Sequence, residues 1–227
     1  FMVWTMLGVL GIPVGRMLQL SATEVGLMMG LPILTGSLVR MPLGLWTDRS
    51  DGRRLMVCML ALAIPARWSL TFATAYWQFL LAGGVIGLVG GVFAVGTPYV
   101  AYWFDRSQQG MAMGVFGAGN VGAALNQLVA PVLLVGFGWA AVPQMYAALM
   151  LLTVIVFWGL SYPAPPKAHK PPMRWRQQMR LLLEPKVLRY CQYYSVVFGG
   201  FVALALWLVQ HYVCQYPPNT SHAPLLA

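Results

Sequence analysis

Long apolar runs alternate with short polar segments along this chain, and the pattern predicts seven helical spans. Most runs are long enough to cross a bilayer, since a membrane helix takes about 20 apolar residues. The first run is too short to cross, and we expect it to be the remainder of a truncated helix. The predicted spans cover residues 1–14, 25–46, 55–76, 77–104, 110–135, 139–162 and 188–213.

Composition makes the membrane class the best interpretation of these runs. The chain is 59% hydrophobic and only 8% charged, whereas a soluble domain has charge on roughly a quarter of its residues. The sequence therefore predicts an all-α, polytopic membrane protein whose surroundings are the lipid bilayer. The net charge of +9 does not indicate a nucleic-acid partner, because the cations lie between the apolar runs.

Positive charge predicts the orientation, because cytoplasmic loops are enriched in Lys and Arg. The loops on one side contain most of the cations, and the opposite side has Arg16 and little else. We therefore predict a multi-pass protein of the inner (cell) membrane, with the loop 163–187 in the cytoplasm. The cations of the cytoplasmic side are Arg49, Arg53, Arg54, Arg106, Lys167, Lys170, Arg174, Arg176, Arg180 and Lys186.

The long basic loop divides the chain. We predict a transmembrane bundle over 1–162, a cytoplasmic interdomain loop over 163–187, a seventh helix over 188–213 and an atypical or truncated tail over 214–227. This layout is typical of the middle of a transporter built from two six-helix halves. The alternative is a six-helix protein with one extra anchor. Because the chain starts within an apolar run and lacks an initiator Met, we expect an internal piece of a longer protein.

The loop after the second span reads GLWTDRSDGRR, residues 44–54. It resembles the cytoplasmic signature of the major facilitator superfamily, G-x-x-x-D-R-x-G-R-R, with Asp51 as one extra residue. Gly44 would let two helices approach closely, and Asp48 can meet a helix N-terminus or an arginine. With Arg49 and Arg53, these residues would form a latch that holds one conformation of the transporter. The alternative is a charged turn that only fixes topology.

Arg40 is a charged residue within the apolar second span. It lies eight positions before Asp48, which places it about 12 Å inside the cytoplasmic surface. Burial of a guanidinium at that depth costs at least about 2.5–3.5 kcal/mol on insertion scales. All five acidic residues map to loops or span ends, so an anionic substrate is the expected partner; the planar fork suits carboxylate or nitrate. The alternative is that Arg40 caps carbonyls of a broken helix near Pro42.

The fifth span contains a second polar residue at a comparable depth. Asn120 lies about ten residues, or roughly 15 Å, from the cytoplasmic end, and Gln127 follows on the same face. The alternative for Asn120 is a hydrogen bond between helices. Glycines of the fourth and fifth spans predict close helix packing; they are Gly83, Gly87, Gly91, Gly114, Gly117 and Gly119. Arg67 in the third span is expected to snorkel outward and has no predicted role.

Three stretches resemble the nitrate/nitrite porter family within the major facilitator superfamily: LPILTGSLVRMPLGLWTDR, GGVFAVGTPYVAYWF and QGMAMGVFGAGNVGAALNQLVAP. The resemblance implies that Arg40 binds the anion, that Asn120 contributes to the same site, that Tyr194 contacts substrate and that Phe198 is an aromatic wall. It also implies a six-helix half followed by the first helix of a second half. The twelve-helix family has a second anion-binding arginine in its eighth helix, which this chain lacks.

The predicted function is a secondary transporter that moves nitrate or nitrite by alternating access, without enzyme chemistry, cofactor or metal. Proton symport commonly uses a carboxylate or histidine inside the membrane. This half has no central carboxylate, which favours nitrate/nitrite exchange, with protons as the alternative coupling ion. A facilitator for sugars or for another small organic anion would also fit the spans, as would a non-transporting fragment. A membrane redox subunit would need paired His or Cys ligands within its spans, and the sequence has none.

Overall fold

The structure is a computed structural model that describes residues 1–47, 50–163, 180 and 183–215. Within these residues the chain is helical and the predicted all-α fold is confirmed. The helices are α1 (Met6–Met17), α2 (Ala22–Thr47), α3 (Gly52–Leu70), α4 (Tyr76–Gly87), α5 (Val92–Trp103), α6 (Gln109–Gly117), α7 (Val121–Phe137), α8 (Ala141–Leu160) and α9 (Pro185–Gln215). Short 3₁₀ segments, Leu88–Gly91 and Ala118–Asn120, join α4 to α5 and α6 to α7. Most of the predicted basic loop and tail lies outside the described residues.

Five helical segments of the described chain are long and apolar enough to cross a membrane. They are Ala22–Thr47, Tyr76–Trp103, Gln109–Phe137, Ala141–Leu160 and Pro185–Leu208. The outward faces of these segments are apolar as well; on α8, Leu151, Leu152 and Ile155 are exposed. Because a soluble protein rarely exposes so much contiguous apolar surface, these faces suit contact with lipid chains.

The third span begins and ends earlier than its hydropathy predicts. At its start, the Asp51 side chain accepts a hydrogen bond from the Arg53 backbone N–H at 3.1 Å, so the extra acidic residue is an N-cap. At its end, a turn over 71–75 separates α3 from α4. The Gln78 side-chain oxygen accepts from the backbone N–H groups of Thr74 and Ala75 at 2.7 and 3.1 Å. The turn is apolar, so hydropathy alone does not reveal it.

Glycines allow the backbones of α2 and α4 to approach very closely. A Cβ atom on Gly87 would lie 2.5 Å from the carbonyl oxygen of Pro32, and one on Gly36 would lie 2.6 Å from the carbonyl oxygen of Gly87. Gly91 and Gly83 are also tight, at 2.8 Å from Val39 Cγ1 and 3.1 Å from Leu7 Cδ1. The fourth-span glycines therefore lie at helix contacts, and they position α2 against the Leu88–Gly91 segment.

The remaining predicted packing glycines have no such neighbour. A Cβ atom on Gly44, Gly114, Gly117 or Gly119 would meet nothing within 4 Å in the described part of the chain. The expected close approach at Gly44 is therefore not found here. These glycines face away from the described helices, and glycine spacing alone does not indicate which face a helix turns inward. The packing role of the three fifth-span glycines stays a prediction.

We expect Gly87→Ala to lower the free energy of unfolding by about 1–3 kcal/mol, as overpacking usually does. The added methyl group meets the backbone of α2, which has no flexible end to move aside. Gly84→Ala is the matched control, because its Cβ would have Thr35 Cγ2 as nearest neighbour at 4.0 Å. Thermal unfolding in detergent measures both variants. Equal stability of the two would contradict the close approach of α2 and α4.

Candidate anion-binding site

Arg40 of α2 reaches the break in the fourth span. Its Nε donates a hydrogen bond to the carbonyl oxygen of Gly90 at 3.2 Å. Gly90 lies in the 3₁₀ segment, where the change of hydrogen-bond pattern makes carbonyl groups accessible to side-chain donors. Arg40 thus does bond a backbone carbonyl, as the alternative interpretation expects, but this carbonyl belongs to the neighbouring span and not to the helix near Pro42.

Two aromatic rings lie beside the Arg40 guanidinium. Its Cζ lies 5.9 Å from the ring centroid of Trp4 and 5.4 Å from that of Phe198, within cation–π range. Phe198 in turn stacks on Tyr194, with centroids 5.1 Å apart and ring planes 14° from parallel. The structure therefore brings Arg40 and Phe198 together and places Tyr194 in the next layer of the same wall.

Two polar atoms of the predicted site are buried without a partner. Arg40 Nη2 and Asn120 Oδ1 make no hydrogen bond within the described residues, and none joins the two side chains. A buried polar group left unpaired costs about 1–3 kcal/mol, and more when it is charged. No described carboxylate forms an ion pair with Arg40; an acid–base contact does occur at the surface, between Arg54 and Asp51 at 3.9 Å. The site therefore has unused capacity for an anion.

Asn120 closes the 3₁₀ segment between α6 and α7. Asn120 thus lies at the interruption of one membrane-length helix, and the Gly90 carbonyl that Arg40 bonds lies at the interruption of another, a feature of substrate sites in many transporters. The side-chain amide presents an acceptor at one end and two N–H donors at the other, and rotation about its last torsion exchanges them. The half-buried Asn120 side chain can therefore offer an N–H group to an oxyanion.

Sequence reasoning missed several aromatic residues next to this site. Trp4 is buried, and its Nε1 donates to the Pro32 carbonyl at 3.1 Å. Phe1 packs edge-on against Phe198 at 6.0 Å and against Phe93 at 6.1 Å. Phe93 stacks on Phe116 at 4.9 Å. In an apolar run an aromatic residue has no distinctive signal, so only the three-dimensional arrangement identifies this wall.

The burial of the two membrane arginines is the reverse of the expectation. Arg40 is half-buried. Arg67 has 0% exposure, so the prediction that it snorkels outward is wrong. Its Nη2 donates to the Val3 carbonyl at 2.8 Å and its Nη1 to Met150 Sδ at 3.0 Å. The face of α3 with Arg67 packs inward, against α8 and the residues before α1.

Within the described residues, Arg53 of the predicted latch contacts the end of α8. Arg53 Nε donates to Ser161 Oγ at 2.9 Å, its Nη2 donates to the Trp158 carbonyl, and its Cζ lies 4.1 Å from the Trp158 ring centroid. These bonds join α3 to the end of α8. Asp48 and Arg49 lie outside the described residues, so the latch stays a prediction.

A bundle of membrane-length helices, with one interrupted span bonded to a guanidinium that has no described carboxylate partner, defines a polytopic membrane protein of the transporter class. The family model for the Major Facilitator Superfamily matches residues 1–225, and the chain belongs to that superfamily. Its members are transporters and not enzymes. Among solved structures, an inward-facing bacterial homologue of the human lysosomal transporter Spinster has the same fold. It matches with a TM-score of 0.74 at 18% identity, over 99% of this chain and 55% of its own.

Curated relatives confirm the resemblance to nitrate/nitrite porters. A probable nitrate/nitrite antiporter of Thermus thermophilus is 37% identical over 100% of this chain and 54% of its own length. A nitrite extrusion protein of Bacillus subtilis is 30% identical, over 99% of this chain and 56% of its own. A probable nitrate/nitrite transporter of Mycobacterium tuberculosis is 32% identical, over 98% of this chain and 57% of its own length. The chain spans about half the length of these relatives.

Proposed function

We propose that this chain forms the anion-binding half of a nitrate or nitrite transporter that works by alternating access in the cell membrane. The observation that supports this most directly is the buried, unpaired Nη2 of Arg40, which has aromatic neighbours and no described carboxylate partner. A monovalent anion would neutralise this charge and supply the missing hydrogen-bond acceptor. The relatives named for nitrate and nitrite make these anions the favoured substrates.

The guanidinium is well suited to a planar oxyanion. Its Nε is committed to the Gly90 carbonyl, which fixes the plane of the group and leaves its outer edge for substrate. A planar fork can donate two parallel N–H bonds to two oxygens of nitrate or nitrite. The Trp4 and Phe198 rings exclude water on the neighbouring sides, and a low local dielectric strengthens the attraction between opposite charges.

Asn120 would supply a further donor from the second interrupted helix, Gln109–Phe137. Its amide N–H bonds one substrate oxygen, and Tyr194 completes the wall behind Phe198 as substrate enters. The second half of the transporter would close over the exposed side of Arg40, and rocking of the two halves would carry the anion across. The cytoplasmic loop 163–187 would connect these halves.

Exchange of nitrate for nitrite is the favoured mode of transport, driven by the gradients of the two anions. The described acids Glu24, Asp51, Asp105 and Glu184 lie at helix ends or in turns, so the described part of this half supplies no acidic proton relay beside Arg40. The Thermus relative is itself named a nitrate/nitrite antiporter. In an exchanger, the same site binds either anion and reorients only when it is occupied.

We expect Arg40→Lys to raise the nitrate Kd of the full-length protein about 10- to 100-fold, since hydrogen bonds to charged groups are worth about 1.5–3 kcal/mol. Lysine keeps the charge but loses the planar two-point contact. Calorimetric titration in detergent measures the affinity, and the exposed Arg16→Lys is the matched control. An unchanged Kd for Arg40→Lys would refute the assigned role of Arg40.

Counterflow in proteoliposomes distinguishes exchange from proton symport. Vesicles loaded with nitrite should take up labelled nitrate, and a protonophore should leave that uptake intact because no proton crosses with the anion. Vesicles without internal anion should take up little. Uptake that needs no internal nitrite and is abolished by the protonophore would contradict exchange and favour symport.

A further inference from the structure

Among the arginines of the described chain, Arg67 is the fully buried one. The proposed transport function assigns it no role. It has no exposed surface, its Nε makes no hydrogen bond within the described residues, and no described carboxylate pairs with it. A buried charge is expensive, and a well-packed apolar side chain of similar volume is often equally stabilising or better. Packing alone therefore does not account for an arginine at this position.

What Arg67 does contact is the backbone beside Trp4. Its Nη2 donates to the Val3 carbonyl at 2.8 Å. On the other side of Trp4, Asn126 Nδ2 donates to the Thr5 carbonyl at 3.0 Å. Asn126 is oriented by the Tyr146 hydroxyl, which donates to its Oδ1 at 2.8 Å. Side chains from α3, α7 and α8 thus hold the turn before α1 at the two carbonyls that flank Trp4.

Trp4 links this buried support to the anion site. Its indole N–H bonds the Pro32 carbonyl, and its ring lies against Gly90, where an added Cβ would be 2.9 Å from Trp4 Nε1. The carbonyl of the same Gly90 accepts the Arg40 hydrogen bond, and the Trp4 ring lies 5.9 Å from Arg40 Cζ. A shift of the turn would therefore move both the ring and the backbone that fix the guanidinium.

We propose that Arg67 and Asn126 are positioning residues that hold Trp4 against Arg40 and so set the affinity of the site for its anion. This inference rests on the proposed function for its substrate, but the placement of Trp4 can be measured without substrate. Neither residue touches the anion. Their side chains act through the backbone of residues 3–5, whereas Arg40 acts on the ligand itself.

The test uses the full-length protein labelled with fluorotryptophan, with the Trp4 fluorine resonance assigned by its loss in Trp4→Phe. We expect Arg67→Met to shift or broaden that resonance and to raise the nitrate Kd roughly three- to tenfold, the effect of a weakened cation–π contact at a desolvated site. The thermal midpoint should stay unchanged or rise, because the buried charge is removed. Arg67→Lys should restore part of the affinity, and the exposed Arg54→Met on the same helix is the control.

A double-mutant cycle separates positioning from a general structural role. In a Trp4→Leu background, Arg67→Met should change the Kd less than twofold, since its effect passes through Trp4. Asn126→Leu should reproduce the shift of the Trp4 resonance and serves in place of Arg67→Met if that variant does not fold. An unmoved Trp4 resonance in the variants, or a Kd effect that persists fully without Trp4, would overturn the proposal. Failure of the parent protein to bind nitrate would instead refute the proposed function, and the resonance would still test the positioning.

Discussion

The contact between Arg40 and the Gly90 carbonyl is the constraint on which the rest of the site depends. A guanidinium inside a bilayer is expensive, and its cost falls as its donors find partners. One donor is satisfied by the interrupted fourth span, and another, Nη2, is buried without a described partner. Within the described residues the charge is therefore oriented by a hydrogen bond but not neutralised, as the proposed anion site requires.

Close backbone packing makes that contact possible. Gly36 and Gly87 bring α2 and α4 to distances that no larger residue would permit, and the flat indole of Trp4 lies against the resulting contact. The Gly90 carbonyl and the Asn120 amide lie at breaks in two membrane-length segments, at Leu88–Gly91 and Ala118–Asn120. Helix packing and the polar chemistry are therefore parts of one arrangement, and changes in the fourth-span glycines should affect both.

Hydrophobic patterning predicts the membrane class and the five membrane-length segments of the described chain, because bilayer thickness imposes a length on each helix. Hydropathy does not indicate the apolar turn over 71–75, which the Gln78 side chain caps, or the two 3₁₀ breaks. Depth and resemblance indicate four site residues: Arg40, Asn120, Tyr194 and Phe198. The structure places Phe198 beside Arg40. Trp4 and the inward packing of Arg67 could not be predicted, because a helical pattern gives residue spacing but not the neighbour that each face meets.

Isotope-edited infrared spectroscopy of bound nitrate tests the central claim most directly, since the bound anion itself reports the geometry of its contacts. Free nitrate is three-fold symmetric, and its asymmetric N–O stretch is degenerate. Two parallel N–H bonds from a guanidinium break that symmetry, so the bound anion should show a split band in the parent protein and lose it when Arg40 is replaced by Met. An unsplit band in the parent, or a split band that survives the replacement, would contradict planar recognition of the anion by Arg40.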